Sequence, residues 1–161
     1  MVRAVGNELD ARILVAEDSI VVRHLILAQL SKLGFQAEVA TNGREAVAAR
    51  LEKAFDLVLM DCEMPEMNGI DAARAIRRLE DLRGEPRCSI IALTGAEREE
   101  DRLRCLAAGM DDFLSKPLKL ERLREVLELR LPAECHNAKE IPEVSLSDLP
   151  TSSPVSLLPR K

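Results

Sequence analysis

The chain has 161 residues, a formal charge of −5, and a composition that is 47% hydrophobic but only 2% aromatic. One domain with a tail fits that length, and its core must be built from Leu, Ile, Val, Ala and Met rather than from rings. The acidic balance excludes the basic face that direct nucleic-acid binding needs, no apolar run approaches the ~20 residues of a membrane span, and the N-terminal MVRAVGNELDAR has no signal-peptide apolar region, so the expectation is a cytoplasmic protein with no direct nucleic-acid partner and no membrane insertion.

Residues 1–11 read as an extension ahead of a domain at 12–131. RILVA (12–16) predicts a short strand, and Ser19 can cap the helix that follows. From Ile20 to Leu33, Val22, Leu25, Ile26, Leu30 and Leu33 recur at helical spacing, and Gly34 stands where a left-handed cap would close the helix. QAEVA (36–40) predicts a weaker strand, and GREAVAARLEKA, from Gly43, a second helix. FDLVLM (55–60) is a buried strand that delivers Asp61 into DCEMPEMNG, where Pro65, Asn68 and Gly69 break the regular pattern. DAARAIRRL, from Asp71, predicts a helix with Ala73, Ile76 and Leu79 on one side. SIIAL (89–93) is a fourth strand, 98–108 a charged helix closed by Gly109, and 112–115 a short fifth strand. The last helix, 118–131, aligns Leu120, Leu123, Leu127 and Leu131. Residues 132–161, rich in Pro and Ser and without apolar period, read as a flexible tail or linker.

Five strand–helix pairs in succession imply a parallel sheet with helices on both faces. Such sheets bind ligands beyond the carboxyl ends of their strands. Those ends carry Glu17-Asp18, Asp61, Thr94 and Lys116-Pro117, so three carboxylates, a hydroxyl and an ammonium converge on one rim. Each carboxylate pair at ~4 Å costs roughly 1–4 kcal/mol, and Lys116 offsets only part of it. Either some of the carboxylates protonate or a hard cation sits among them. Oxygen ligands without His or thiolate favour Mg²⁺ or a similar ion, which is commonly shared with a phosphate. Lys116 and Thr94 suit the oxygens of that phosphate, and Asp61 is then a candidate nucleophile on phosphorus. The cysteines, Cys62, Cys88, Cys105 and Cys135, have no C-x-x-C spacing and two His accompany them, which argues against zinc. Free thiols fit a reducing compartment, and Cys88 and Cys105 read as small core residues.

With Glu17-Asp18, Asp61 in MDCEMPEMNG, Thr94 in ALTG and Lys116-Pro117 in AAGMDDFLSKP after the correct strands, the chain resembles the receiver domain of two-component response regulators from about Arg12 to Leu131. DCEMPEMNG and CLAAGMDDFLSKP look most like the receivers of hybrid sensor histidine kinases. The resemblance implies a flavodoxin-like (βα)5 fold, strand order 2-1-3-4-5. It makes Asp61 the phosphoacceptor, with Asp18, Asp61 and the backbone carbonyl of Glu63 on Mg²⁺ and Glu17 acting largely through water. Thr94 and Lys116 would contact the phosphoryl group, Thr94 and Phe113 would form the switch, and Lys116–Pro117 would be cis. The phosphoryl donor would be a phosphohistidine of a sensor histidine kinase or a histidine phosphotransfer domain, and the domain would catalyse its own phosphorylation and dephosphorylation without being an enzyme on other substrates. The first helix, with Arg23 and His24, would touch that donor. Dimerisation through the face of the fourth helix, fifth strand and fifth helix stays open.

Other readings compete. An aspartate-nucleophile phosphatase of the haloacid-dehalogenase type wants a second Asp where Glu63 stands, and a cap domain. A flavin-binding module of the same fold needs a hydroxyl-rich phosphate loop where Glu17-Asp18 lies. A receiver-shaped module that is never phosphorylated would not need the complete residue set.

Overall fold

Alternation in the sequence becomes alternation in space. The computed structural model describes residues 11–95 and 98–132; the expectations for residues 1–10 and 133–161 lie outside them. In chain order the elements are β1 (Ile13–Ala16), α1 (Ile20–Lys32), β2 (Ala37–Ala40), α2 (Gly43–Glu52), β3 (Leu57–Asp61), α3 (Gly69–Arg83), β4 (Ser89–Thr94), α4 (Glu99–Ala107), β5 (Asp112–Ser115) and α5 (Leu120–Arg130). The strands form one sheet in the order β2-β1-β3-β4-β5, every pair parallel. This is the flavodoxin-like order expected from the sequence.

Side chains leave a strand on alternate faces, and both faces here are covered. Ile13, Val15, Leu57, Leu59, Ile91, Leu93 and Leu114 pack with Ile26 and Leu30 of α1 and Leu123, Val126 and Leu127 of α5. Leu14, Ala16, Val58, Met60, Ile90 and Ala92 pack with Ala46 of α2, Ala72, Ala73 and Ile76 of α3 and Cys105 of α4. Burial on both sides explains why β3 and β4 read as unbroken apolar runs. Each fully buried aliphatic side chain contributes about 1.5–3 kcal/mol.

Caps fix where the first three helices start. The side chains of Ser19, Asn42 and Asn68 accept from the backbone N–H groups of Val22, Glu45 and Asp71. Asn68 therefore starts α3 at Gly69, two residues before the start read from its apolar spacing. Leu25 is 58% exposed, because the buried stripe of α1 runs through Ile26 and Leu30 and Leu25 lies a hundred degrees off it. β3 starts at Leu57 rather than Phe55 and runs through Asp61, which pairs in register with Leu93. The acid is thus the last residue of the strand and not the first of the turn. Phe55 is buried outside the ladder, where Asp56 donates its N–H to Arg12 O at 2.8 Å.

A polar network ties α3 to the segments that lead into β4 and β5. Arg77 donates to the Glu80 carboxylate at 3.0 Å, to Asp111 Oδ2 at 2.8 Å and to the Cys88 carbonyl at 2.8 Å. Asp111 Oδ2 also accepts from Ile90 N at 2.8 Å. Arg77 and Glu80 are buried, and nothing in the apolar spacing of α3 announced them. Burial, then the Glu80 carboxylate beside it, pushes the Cys88 thiol up to about 12, so it stays protonated. At the other extreme stands α4, whose one buried residue is Cys105.

Candidate functional site

β1 and β3 are neighbours whose chains leave in opposite directions, β1 toward β2 and β3 toward β4. Ligands of open α/β sheets bind at such a switch in strand order, and the acids sit there. Carboxylate oxygens of Glu17, Asp18 and Asp61 all lie within 4.8 Å of one another. Glu17 and Asp61 are buried, while Asp18 is exposed.

Each side chain is held by its backbone surroundings. Glu17 N donates to Ala40 O at 3.0 Å, its carboxylate accepts from Ser19 N at 3.1 Å, and Arg23 donates to its carbonyl at 3.0 Å. Asp61 Oδ1 accepts from Glu63 N at 3.2 Å. After Asp61 the chain turns back at once. Cys62 N donates to Leu93 O at 3.1 Å, and Gly69 N donates to Cys62 O at 3.1 Å. A Cβ on Gly69 would stand 2.1 Å from the Asp61 carbonyl oxygen, so only glycine lets α3 start against the end of β3. Within the turn Glu66 adopts φ 67°, in the left-handed region that non-glycine residues rarely occupy.

Lys116 reaches across from the end of β5. Its Nζ lies 2.8 Å from Glu17 Oε2 and 3.0 Å from Asp61 Oδ1, its N–H donates to Thr94 O at 2.8 Å, and the peptide after it is cis. Thr94, the last residue of β4, lines the same cleft, as do Asp18, Asp101, Arg104 and Cys105. Phe113 is half-buried, with the Arg102 guanidinium 4.2 Å over its ring.

One ammonium does not neutralise three carboxylates. Burial pushes Asp61 up to about 6; the hydrogen bond from Lys116 works against that rise and the charge on Glu17 adds to it. Burial pulls the Lys116 ammonium down, but its bonds to Glu17 and Asp61 more than reverse this, so its net direction is up. Glu17 Oε2 is buried and lies 2.8 Å from the ammonium, which it shares with Asp61. An all-oxygen cluster of three carboxylates that shares one ammonium and has one member open to water fits a hard divalent cation such as Mg²⁺.

The site residues named from the sequence, Glu17, Asp18, Asp61, Thr94 and Lys116, thus come together on one rim, with Glu63 beside them on the turn. Phe113 lies on β5, under the Arg102 side chain of α4, and is not among the residues that line the cleft. Sequence reasoning missed Asp101, Arg104 and Cys105 as cleft residues, because a charged amphipathic helix carries no sign of which turn faces a neighbouring loop. It also missed Gly69, whose role depends on a close backbone approach. His24 is exposed on α1.

The family model described as the response regulator receiver domain matches residues 13–128. The chain belongs to this family. Among curated relatives, the receiver is 41% identical over 124 residues, 72% of its own length, to hybrid signal transduction histidine kinase B of Dictyostelium discoideum. It spans 6% of that kinase, so the match concerns a domain and not the whole relative. Among solved structures it resembles the receiver domain of sensor histidine kinase PA1611 from Pseudomonas aeruginosa, which holds a magnesium ion in its active-site cleft, with 38% identity, TM-score 0.68, and coverage of 75% of this chain and 97% of that one. It also resembles the receiver domain of the Saccharomyces cerevisiae response regulator Ssk1, solved with the histidine phosphotransfer protein Ypd1, with 29% identity, TM-score 0.72, and coverage of 75% and 88%. The protein is thus a receiver domain of two-component signalling, most like those of hybrid kinases. Among the described residues no helix is long and apolar enough to cross a membrane.

Proposed function

We propose that this receiver takes a phosphoryl group from a phosphohistidine onto Asp61, in a Mg²⁺-dependent reaction that it catalyses itself, and relays a signal by changing conformation. The observation that carries the proposal is the Lys116 ammonium poised between Glu17 and Asp61 in a rim of three carboxylates. Glu17, Asp18, Asp61 and the Glu63 carbonyl would hold the metal. When bound, the ion supplies positive charge that draws Asp61 into its ionised form and offsets the charge of the transferring group.

The chain's own residues do the rest. Ionised Asp61 attacks phosphorus as the histidine nitrogen leaves, and the rigid end of β3 fixes the direction of attack. Lys116 moves its charge from the two carboxylates onto a phosphoryl oxygen, and Thr94 donates its hydroxyl to another. Thr94 drawn toward the group opens space toward which Phe113 turns, leaving its place under Arg102. The signal is then a population shift of α4 and β5, biased by a local charge, and hydrolysis of the acyl phosphate resets it. The donor is a sensor histidine kinase or a histidine phosphotransfer domain, a reading supported by the likeness to the receiver solved with Ypd1. The exposed Ile20, Val21, His24 and Leu25 of α1 offer it an apolar landing surface. We place the reaction in the cytoplasm, in a domain at 12–131 flanked by an extension and a linker. A homodimer through α4, β5 and α5 belongs to the same reading.

Incubation with acetyl phosphate and Mg²⁺, followed by intact mass, tests it. One added phosphoryl group, absent in Asp61→Asn and absent with a chelator, is expected. Continuous turnover of phosphate esters with no mass gain would point instead to a phosphatase.

A further inference from the structure

Cys62 immediately follows Asp61, and its Sγ lies 3.5 Å from the Sγ of Cys105 in α4. The pair brings together residues 43 positions apart. Cys62 is half-buried and Cys105 buried, and both line the acidic cleft, so a small solute entering the cleft meets Cys62 first. Cys88 differs: its thiol lies 3.2 Å from a Glu80 oxygen within the buried network of α3. Cys105 is also the one buried residue of α4, so the side chain that seats this helix is the one that touches the residue next to the acceptor.

We propose that Cys62 and Cys105 form a two-thiol oxidation site that locks α4 to the phosphorylation loop. A disulfide needs the sulfurs at ~2.05 Å, an approach of about 1.5 Å from their present separation, which side-chain rotation and a small shift of the lightly seated helix supply. The oxidant is a peroxide. The Cys62 sulfur attacks the peroxide oxygen, the O–O bond breaks, and water or an alcohol leaves, with a sulfenic acid on Cys62. The Cys105 sulfur then attacks that sulfur, the S–S bond forms, the S–O bond breaks, and a second water leaves with the Cys105 proton. Two thiols and one hydrogen peroxide give one disulfide and two waters; two electrons pass from sulfur to oxygen. The sheltered position of the pair makes the reaction slow compared with that of an exposed thiolate.

The bridge pulls on the residue between Asp61 and Glu63 and fixes α4, the helix whose Asp101 and Arg104 line the cleft. Misplacement of a reacting group by about 1 Å can cost 10²-fold in rate, so the oxidised chain is slow to accept phosphate. The bridge itself is independent of the proposed function; its consequence rests on that reading.

The 161-residue chain, reduced and then exposed to hydrogen peroxide, is digested and mapped by mass spectrometry. The expected product is a Cys62 peptide linked to a Cys105 peptide, missing in both Cys62→Ala and Cys105→Ala. Phosphoryl uptake from acetyl phosphate should then fall by about tenfold or more, recover with dithiothreitol, and stay insensitive to peroxide in Cys105→Ala. Cys62 and Cys105 that remain open to alkylation, a bridge to Cys88 or Cys135, or Cys62 carried on to sulfinic acid would overturn the site. A correct bridge with unchanged uptake would overturn its coupling to the acceptor. A reduced chain that takes up no phosphate would count against the proposed function while leaving the bridge intact.

Discussion

Asp61 is a carboxylate at the end of a fully buried strand, and its surroundings set its energetics. Its ordinary value of 3.8 rises to about 6, chiefly through burial. The folded chain therefore binds this proton more tightly than the unfolded chain. The stabilising contribution is fully present below about pH 4 and is lost as pH rises through about 6. Above that, without a divalent ion, the ionised acid strains the rim, and Asp61→Asn should raise stability by on the order of 1–3 kcal/mol at pH 7.5. The gain should shrink toward zero near pH 4. Urea denaturation at the two pH values in chelator checks this, and equal or lower stability of the variant at pH 7.5 would count against the buried repulsion. The acids and Lys116 were legible in the sequence because each follows a strand and so must fall on one edge. The different burial of Glu17 and Asp18 was not, since adjacent residues leaving a strand read alike until the ladder places them.

Elements meet at positions where side-chain size decides the approach. Gly69 lets α3 begin against the Asp61 carbonyl. Gly69→Ala should cost about 1–3 kcal/mol by overpacking and should slow phosphoryl uptake more than Gly84→Ala, which strains the exposed left-handed cap of α3 (φ 61°) far from the acids' strand ends. Thermal melts paired with uptake rates separate the two effects. The Arg77–Glu80–Asp111 network is a second joint. Glu80→Ala removes one of the two carboxylates on the buried Arg77 and leaves Asp111 to hold its charge, so it should lower stability by about 1–3 kcal/mol, read as a fall in the urea midpoint. Strand and helix order were legible from periodicity and caps. Boundaries moved by one or two residues where a cap or a ladder partner outranked apolar spacing, as at Asn68 for α3 and at Leu93 for the end of β3. The Cys62–Cys105 contact was hidden, because no local pattern tells which turn of α4 faces the loop after β3.

For the whole molecule, a cation held at the rim, as the proposed function requires, would act as a ligand of the folded chain alone. Binding of that kind stabilises by about 2.7 kcal/mol at a hundredfold excess over Kd. Mg²⁺ should therefore raise the melting temperature of the wild type, and Asp18→Asn should lose most of that shift while keeping the fold. A shift of equal size in the variant would remove Asp18 from the metal site. The 2-1-3-4-5 topology was predictable once five strand–helix pairs and the family motifs were read together, since right-handed crossovers leave few arrangements.

The proposed signalling role depends on a covalent bond between phosphorus and one side chain. The most direct measurement traps it: the Mg²⁺-loaded chain is phosphorylated, treated with borohydride, which reduces an acyl phosphate to the alcohol, and mapped by peptide mass spectrometry. Asp61 converted to homoserine, with Glu17 and Asp18 unchanged, is the predicted result; an intact Asp61 in a chain that carries phosphate elsewhere would contradict the account.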